Sequence, residues 1–262
     1  AERPNNSILI DVGDTWQGSL TSLKTQGEDM VEAMNKLGVD VMTGHWEFTY
    51  GSERVLELID KLNFPFLAGN VRDTDFNEPV FESTKFFERG GINVAIIGQA
   101  FPYSPIANPR YMMADWSFGI QEELIRDNVK AARQKGADLI VLASHNGFNV
   151  DRKLASRVDG IDVILTGHTH DAIPGVIMVN NTLLIATGSH GKFIGRLDLD
   201  VQNKKIKNYR YKLIPIFSDA IIPDPEINNF ITTVRAPHAK QLNEVLATTE
   251  KTLYRRGTFN GT

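Results

Sequence analysis

The chain has 262 residues, of which 42% are hydrophobic and 23% are charged, and its formal net charge is -4 at pH 7. This composition is typical of a soluble globular protein with one large core or two modest ones. Because it lacks the basic excess needed to neutralise backbone phosphates, we expect no nucleic-acid partner. No stretch approaches the ~20 apolar residues that cross a bilayer, so we expect no membrane partner.

The sequence contains no cysteine. This excludes disulfides, thiolate metal sites and cysteine nucleophiles, so any metal ligand must come from His, Asp, Glu, Asn or the backbone. Imidazole and oxygen ligands suit Mn, Zn or Fe. The first eleven residues show neither the basic nor the apolar region of an export signal, and the chain lacks an initiator methionine. We therefore expect a processed or cut product.

Short apolar runs alternate with amphipathic stretches in the first half of the chain, and the second half is rich in β-like segments. One α/β domain is therefore predicted over residues 1–222, followed by a helix and linker over 223–262. The predicted elements are a strand at 7–11, a helix at 27–38, a strand at 39–43, a helix capped by Ser52, a strand at 64–68, a hairpin at 81–100, a helix at 119–135, strands ending at 144 and 166, β segments over 175–216 and a polar helix over 224–245.

The helix at 27–38 illustrates the pattern. Met30, Met34 and Leu37 recur on one face, acidic residues occupy the first turn, and Gly38 marks the end. We expect this face to pack on the core.

Candidate metal ligands follow four of the predicted strands directly: Asp14, His45, His145, and His168 with His170. In open α/β sheets ligands gather outside the carboxyl ends of the strands, so these side chains should converge. His168 and His170 are two residues apart, and in an extended segment both project the same way. The two oxygens of Asp14 allow it to contact two ions at once.

The remaining histidines fit the pattern less well. His238 falls in the polar helix and is interpreted as having no role at the site. His190 lies in a turn, either as a turn residue or as part of the site wall. Gly13, Gly44 and Gly167 each precede a ligand, which fits a backbone that bends sharply.

Two cations at such a site polarise the group under attack and activate water without a covalent intermediate. The predicted reaction is therefore hydrolysis at a tetrahedral oxyanion such as a phosphate or a sulfonate.

Five motifs resemble, in order, those of the calcineurin-like metallophosphoesterases, in the branch that contains the 5'-nucleotidases: GDTWQGS (13–19), GHWEFTYG (44–51), SHNG (144–147), GHTH (167–170) and GSHGK (188–192). The resemblance implies that residues 1–222 form a catalytic domain with a four-layer α-β-β-α sandwich that lacks its first strand. It also implies that Asp14 bridges two metals, that His145 and His168 serve one ion, and that His170 serves the other. Asp14, His45 and His145 are the predicted catalytic residues.

One motif departs from that branch. Nucleotidases read GNHE, with Asn as a ligand and the next His, assisted by an Asp, as the general acid at the leaving group. This chain has His45, Trp46 and Thr49 at these positions. His45 can replace the Asn ligand, but Trp46 has no titratable proton and Thr49 cannot orient an imidazole. An alkoxide leaving group needs that acid, whereas a thiolate or persulfide does not.

The motifs GHWEFTYG and GDTWQGS, with GQAFPY (98–103) and RRGTFNGT (255–262), resemble the thiosulfohydrolases of the bacterial Sox sulfur-oxidation pathway. The resemblance implies a periplasmic enzyme with two manganese ions that removes a terminal sulfonate, as sulfate, from a cysteine S-thiosulfonate on the carrier protein SoxYZ. We expect a monomer. The absence of cysteine agrees with a reactive thiol that belongs to the carrier.

The predicted substrate-binding residues are Trp46, Trp16, Gln17, His190 and Arg256. Each has a plainer alternative, because aromatic residues beside glycines are often packed walls and polar loop residues often form turns. Asn146 has the same two interpretations. Glu47 either orients a ligand imidazole or is a solvated acid.

The family also has an Asp-x-His motif on its first strand, which adds two ligands to the ion that His170 serves, and a second domain that closes over the substrate. Neither is found in this sequence. We therefore expect the chain alone to bind one ion well and to be inactive. A 5'-nucleotidase-type phosphoesterase is the alternative enzyme, and a non-catalytic metal-binding or carrier-docking module is the alternative outside catalysis.

Overall fold

The computed structural model describes residues 4–253 as a mixed α/β structure. The strands are β1 (Ile10–Asp11), β2 (Val41–Met42), β3 (Arg72–Asp73), β4 (Thr84–Arg89), β5 (Ile92–Gln99), β6 (Trp116–Ser117), β7 (Leu139–Ser144), β8 (Val163–Thr166), β9 (Ile177–Val179), β10 (Thr182–Ala186), β11 (Phe193–Gln202) and β12 (Lys205–Pro215). The α-helices are α1 (Leu20–Thr25), α2 (Glu28–Leu37), α3 (Ser52–Ile59), α4 (Ser104–Ala107), α5 (Glu122–Gln134), α6 (Phe148–Ala155), α7 (Pro225–Arg235) and α8 (Ala239–Leu242).

The largest sheet has six strands in the order β4-β5-β7-β8-β10-β9. The four inner strands are parallel, and the two edge strands pair antiparallel with their neighbours. β7 is buried along its whole length, as expected for a parallel strand covered on both faces. The loops after the parallel strands therefore share one edge of the sheet.

The two faces of this sheet bury different clusters. Ala95 and Ile97 of β5 pack in a cluster with residues of α5 and α6, whereas Val94 and Ile96 pack with residues of β2 and β11. A third cluster joins α2 and α3 to Met42 of β2. The predicted α/β fold class is confirmed, and the four-layer arrangement stays a prediction.

β1 and β2 form a separate parallel pair, in which Ile10 lies opposite Val41. Both strands are shorter than predicted, and the predicted strand at 64–68 makes only isolated bridges, such as that of Phe66 to Met42. The hairpin at 81–100 is confirmed as β4 and β5. The loops after β1 and β2 join those of the main sheet at one edge.

Three details of the helices differ from the prediction. Ser52 is the first residue of α3 rather than its cap, a position that Gly51 takes. Leu37 is 64% exposed, because it ends α2 beyond the buried Met34. The predicted helix at 224–245 is divided into α7, a 3₁₀ turn containing Pro237, and α8, since proline lacks the N–H that a continuous helix requires.

Helix α7 lies against α2, where Lys36 Nζ donates to Glu226 Oε1 at 3.0 Å and also lies over the ring of Phe230. The division between residues 1–222 and 223–262 stays a prediction.

Within residues 4–253, no helix is long and apolar enough to span a membrane.

Asp151 links α6 to the end of β7. It is fully buried, and its Oδ1 accepts hydrogen bonds from Ser144 Oγ and Asn146 Nδ2, both at 2.9 Å. Asn146 N in turn donates to Ser144 Oγ. The carboxylate therefore fixes both residues that flank His145. Burial raises the pKa of Asp151 to about 6 despite these hydrogen bonds.

We expect Gly98→Ala to destabilise the protein by about 1–3 kcal/mol, because an added methyl group overpacks a backbone that cannot move aside. A Cβ at this position would lie 2.2 Å from the carbonyl oxygen of Leu67. Urea unfolding measures the change. Gly175→Ala is the matched control, since a Cβ there meets nothing within 4 Å. Equal unfolding free energies for the two variants would contradict the close packing of β5.

The Asp151 carboxyl predicts a pH dependence of the metal-free protein. Its pKa is about 6 in the folded chain against 3.8 ordinarily, so the folded state binds the proton more tightly. The contribution of this carboxyl to the free energy of unfolding is complete below pH ~4. It is lost as the pH rises to about 6, and the shift in pKa corresponds to about 3 kcal/mol. We expect Asp151→Asn to reduce the slope of the unfolding free energy against pH between these two values. The exposed Asp159→Asn should leave the slope unchanged; parallel slopes for both variants would refute the prediction.

Candidate metal centre

Four of the five predicted ligands converge at the shared edge of the strands. Asp14 follows β1, His45 follows β2, His145 follows β7 and His168 follows β8. Each offers a ligand atom, and these atoms all lie within 4.8 Å of one another. The set of one carboxylate and three imidazoles suits a first-row divalent cation.

Asp14 lies at the middle of the group. Its Oδ1 is 3.0 Å from His45 Nδ1, and its Oδ2 is 3.0 Å from His145 Nε2. Trp46 N also donates to Oδ1 at 3.2 Å. Burial by itself raises the pKa of Asp14, but the contacts with His145 and His45 outweigh it and lower that pKa far below its usual value. Asp14 is therefore a carboxylate at any ordinary pH.

His145 is oriented by the backbone. Its Nδ1 contacts the carbonyl oxygen of Val12, which can only accept, so Nδ1 carries a hydrogen. In the neutral imidazole the Nε2 lone pair then faces the carboxylate of Asp14, and a positive charge is needed between them. Burial lowers the pKa of His145, but Asp14 raises it above its usual value. A cation at this point satisfies the same need without protonation.

His45 is 1% exposed, and neither of its ring nitrogens has a hydrogen bond of good geometry. A buried polar atom without a partner is costly, so an unpartnered imidazole nitrogen beside a carboxylate fits a metal ligand. Burial, with the neighbouring His145 and His45, lowers the pKa of His168 to about 4, so its ring is neutral near pH 7 and available as a ligand. The residues present therefore fit a divalent cation.

The loops that carry the ligands have an uncommon backbone. Asp14, His168, His170 and His190 all have positive φ, from 59° to 74°. Non-glycine residues rarely adopt this conformation, and it concentrates at functional sites where the surroundings enforce it. Gly13, with φ of 94°, begins the turn that presents Asp14.

Glu47 is neither a partner of an imidazole nor solvated. It is fully buried, and its carboxylate accepts hydrogen bonds from the backbone N–H groups of four residues, at 2.6 to 3.2 Å: Asp14, Thr15, Trp16 and His45. It therefore fixes the two loops that carry Asp14 and His45. Both interpretations of this residue from the sequence were incomplete.

His170 lies outside the group of four. It is exposed, and its ring is 5.4 Å from that of His190, in a T-shaped contact. Ser189 Oγ lies 2.7 Å from His190 Nδ1. The structure thus brings His190 beside a predicted ligand, which favours the site wall over a plain turn residue. The roles of both residues stay predictions.

The predicted substrate residues have different surroundings. Trp46 is half-buried, and its ring stacks on His45 with centroids 4.5 Å apart. Trp16 is fully buried and donates from Nε1 to Met34 Sδ at 3.3 Å, which favours packing and disfavours substrate contact. Gln17 is exposed. Arg256 lies outside the described residues.

Three residues of the site were missed or left without a role from the sequence. Phe101 contacts the rings of His45 and His168. Asp11 accepts from Gly13 N at 2.7 Å and from Thr15 Oγ1 at 2.8 Å. Asp151 lies three and four residues before buried Leu154 and Ala155, and this spacing is the signal that places an acid on the buried face of α6. Its partner Asn146 is 3% exposed, so contact with substrate is disfavoured.

No family model matches the chain. The sulfate thiohydrolase SoxB of Thermus thermophilus has a similar structure, with a TM-score of 0.87 and 36% identity over 89% of this chain and 43% of its own. A 5'-nucleotidase precursor, also from Thermus thermophilus, has a TM-score of 0.83 and 23% identity over 94% of this chain and 52% of its own. The metallophosphoesterase YunD of Bacillus subtilis strain 168 is 28% identical over 202 residues, which is 75% of this chain and 43% of YunD.

The chain thus spans about half the length of these relatives. The likeness to the nucleotidase precursor, at 23% identity, shows the shared fold alone. The likeness to SoxB, at 36% identity, is one of sequence as well as fold. Together with the Asp14 group at the edge of the strands, these similarities place the chain, as a SoxB-like member, in the 5'-nucleotidase branch of the calcineurin-like metallophosphoesterases.

Proposed function

We propose that this chain carries the metal centre of a two-metal thiosulfohydrolase, which releases sulfate from a cysteine S-thiosulfonate on a SoxYZ-type carrier protein. The observation that carries the proposal is Trp46. It stacks on His45 at the position where nucleotidases have their general acid. The 36% identity to SoxB, against 23% for the nucleotidase precursor, supports the same choice.

Among residues 4–253, the contacts around Trp46 and His45 offer no evident substitute for that acid. Thr49 Oγ1 donates to Asn108 Oδ1 at 3.3 Å, so the hydrogen of this hydroxyl is already engaged. His45 also contacts the apolar ring of Phe101, with ring centroids 4.1 Å apart. We therefore propose that the leaving group departs without a proton from the residues around Trp46. A persulfide does so, because it is a stable anion near neutral pH.

In the proposed reaction, a water oxygen bonds to the sulfonate sulfur and the S–S bond breaks. The electron pair of that bond leaves with the persulfide, and the protons of water are released with the sulfate. No oxidant or reductant is needed. When bound, two divalent cations supply an activated water and positive charge against the developing oxyanion. Asp14, His45, His145 and His168 would hold one ion between them, and Asp14 with His170 would contribute to the second.

The chain's own residues orient this chemistry. Glu47 fixes the loops of Asp14 and His45, and the Val12 carbonyl fixes the tautomer of His145. We further propose that the ions are manganese, that the protein acts as a monomer, and that it works in the periplasm, where the carrier is located. The second candidate is a 5'-nucleotidase-type phosphoesterase, which the similarity to a 5'-nucleotidase of Vibrio vulnificus favours, at 25% identity over 240 residues.

Metal binding is the first test. After treatment with a chelator, the chain should bind Mn²⁺ in a calorimetric titration, and His45→Ala should weaken binding by at least about 10-fold, the effect expected even for residues beside a ligand. His238→Ala is the matched control, since His238 lies in the 3₁₀ turn at 236–238, away from the group. Equal Mn²⁺ affinity of the two variants would rule out the centre described.

Substrate choice is the second test. The full-length protein should release sulfate from the thiosulfonated carrier and hydrolyse AMP slowly. Trp46→His combined with Thr49→Asp should raise AMP hydrolysis, because a general acid is worth roughly 10²–10⁴-fold at an alkoxide leaving group. Trp46→Phe, which keeps an aromatic ring without an acid, should give no gain. Rapid AMP turnover by the unaltered protein, insensitive to position 46, would favour the nucleotidase instead.

A further inference from the structure

Four aromatic rings form a continuous series at the metal centre, which we call the aromatic stack: Trp46, His45, Phe101 and His168. Trp46 stacks on His45 with centroids 4.5 Å apart. Phe101 contacts His45 at 4.1 Å and stacks on His168 at 4.1 Å, with an interplanar angle of 25°. The rings of His45 and His168 also contact each other, with centroids 5.1 Å apart. Phe101 therefore packs against two candidate ligands that come after different strands.

The two histidines of the stack lack the usual orienting partner. A metal-binding imidazole almost always donates its second N–H to a carbonyl, a carboxylate or water, which fixes the plane of the ring. His145 makes this contact with Val12. Within residues 4–253, no protein group makes a well-formed hydrogen bond to the ring of His45, and none makes one to the ring of His168. Both rings are instead in contact with other rings: those of the stack, each other at 5.1 Å, and His145 at 4.9 and 5.5 Å.

The backbone makes Phe101 rigid enough for this purpose. Phe101 N donates to the Gly44 carbonyl at 3.0 Å, directly before His45. Ala100 N donates to Asn70 Oδ1 at 2.9 Å. The side chain is 9% exposed. Its ring is thus fixed to the loop that carries one of the two ligands and packs against the other.

We propose that Phe101 is a positioning residue of the metal centre, whose ring sets the planes of His45 and His168 in place of hydrogen-bonded partners. The inference rests on the proposed metal centre and adds a residue to it. Loss of the ring removes the contact that both imidazoles share and gives them more freedom to rotate about their Cβ–Cγ bonds. The cation must then order them on binding, and its affinity falls.

The experiment compares Phe101→Leu with Phe81→Leu by calorimetric titration of Mn²⁺ into the chelator-treated chain. Phe81 is a matched control, since it is 8% exposed and contacts three aromatic rings but no histidine. We expect Phe101→Leu to weaken Mn²⁺ binding about 10-fold, as for loss of other orienting partners. Phe81→Leu should lower the melting temperature and leave the affinity unchanged. Phe101→Tyr, which keeps the ring, should restore the affinity.

Unchanged Mn²⁺ affinity in Phe101→Leu, or an equal loss in both Phe→Leu variants, overturns the inference. If Phe101→Leu does not fold, Phe101→Met carries the same expectation, because its flexible side chain fills the space without a ring. The electron paramagnetic resonance spectrum of bound Mn²⁺ gives a second readout, and it should change with Phe101→Met and not with Phe81→Leu. Failure of the unaltered chain to bind Mn²⁺ would instead reject the metal centre itself.

Discussion

The carboxylate of Glu47 joins the two loops on which the metal centre depends. It accepts four backbone N–H groups, from the loop after β1 and the loop after β2, while fully buried. Hydrogen bonds to an ionised acceptor are stronger than neutral ones, and each of these donors would be costly to leave unpaired. β1 and β2 are only two residues long, so their ladder alone is a weak constraint. Glu47 supplies the constraint that the short strands lack.

With these loops fixed, electrostatics explains the rest of the centre. Asp14 has a positive φ and lies between His45 and His145, a crowded arrangement of lone pairs around one carboxylate. Backbone strain and buried polar atoms without partners are costly, and in folded proteins they concentrate at ligand-binding sites. A divalent cation satisfies the carboxylate and the imidazole nitrogens together. The group is therefore better suited to binding a metal than to stabilising the metal-free chain.

The aromatic rings give the centre a second, apolar character. Trp46 and Phe101 both contact the ring of His45, and neither carries a titratable acid. Under the proposed function, such surroundings suit a leaving group that carries its own negative charge on a polarisable atom. The residue on which the proposed substrate choice rests, Trp46, is then also a residue that contacts the candidate ligand His45.

The sequence by itself determined the fold class and the five ligand candidates. Strand and helix periods are local, and side chains that directly follow parallel strands must share an edge of the sheet. It also determined that position 46 carries no titratable acid, because the indole N–H of Trp46 does not ionise near neutral pH. Only the tertiary structure decided that Trp16 is core, that Glu47 binds backbone N–H groups, and that Phe101 packs against both His45 and His168. These features depend on contacts between residues tens of positions apart, which no local pattern in one sequence encodes.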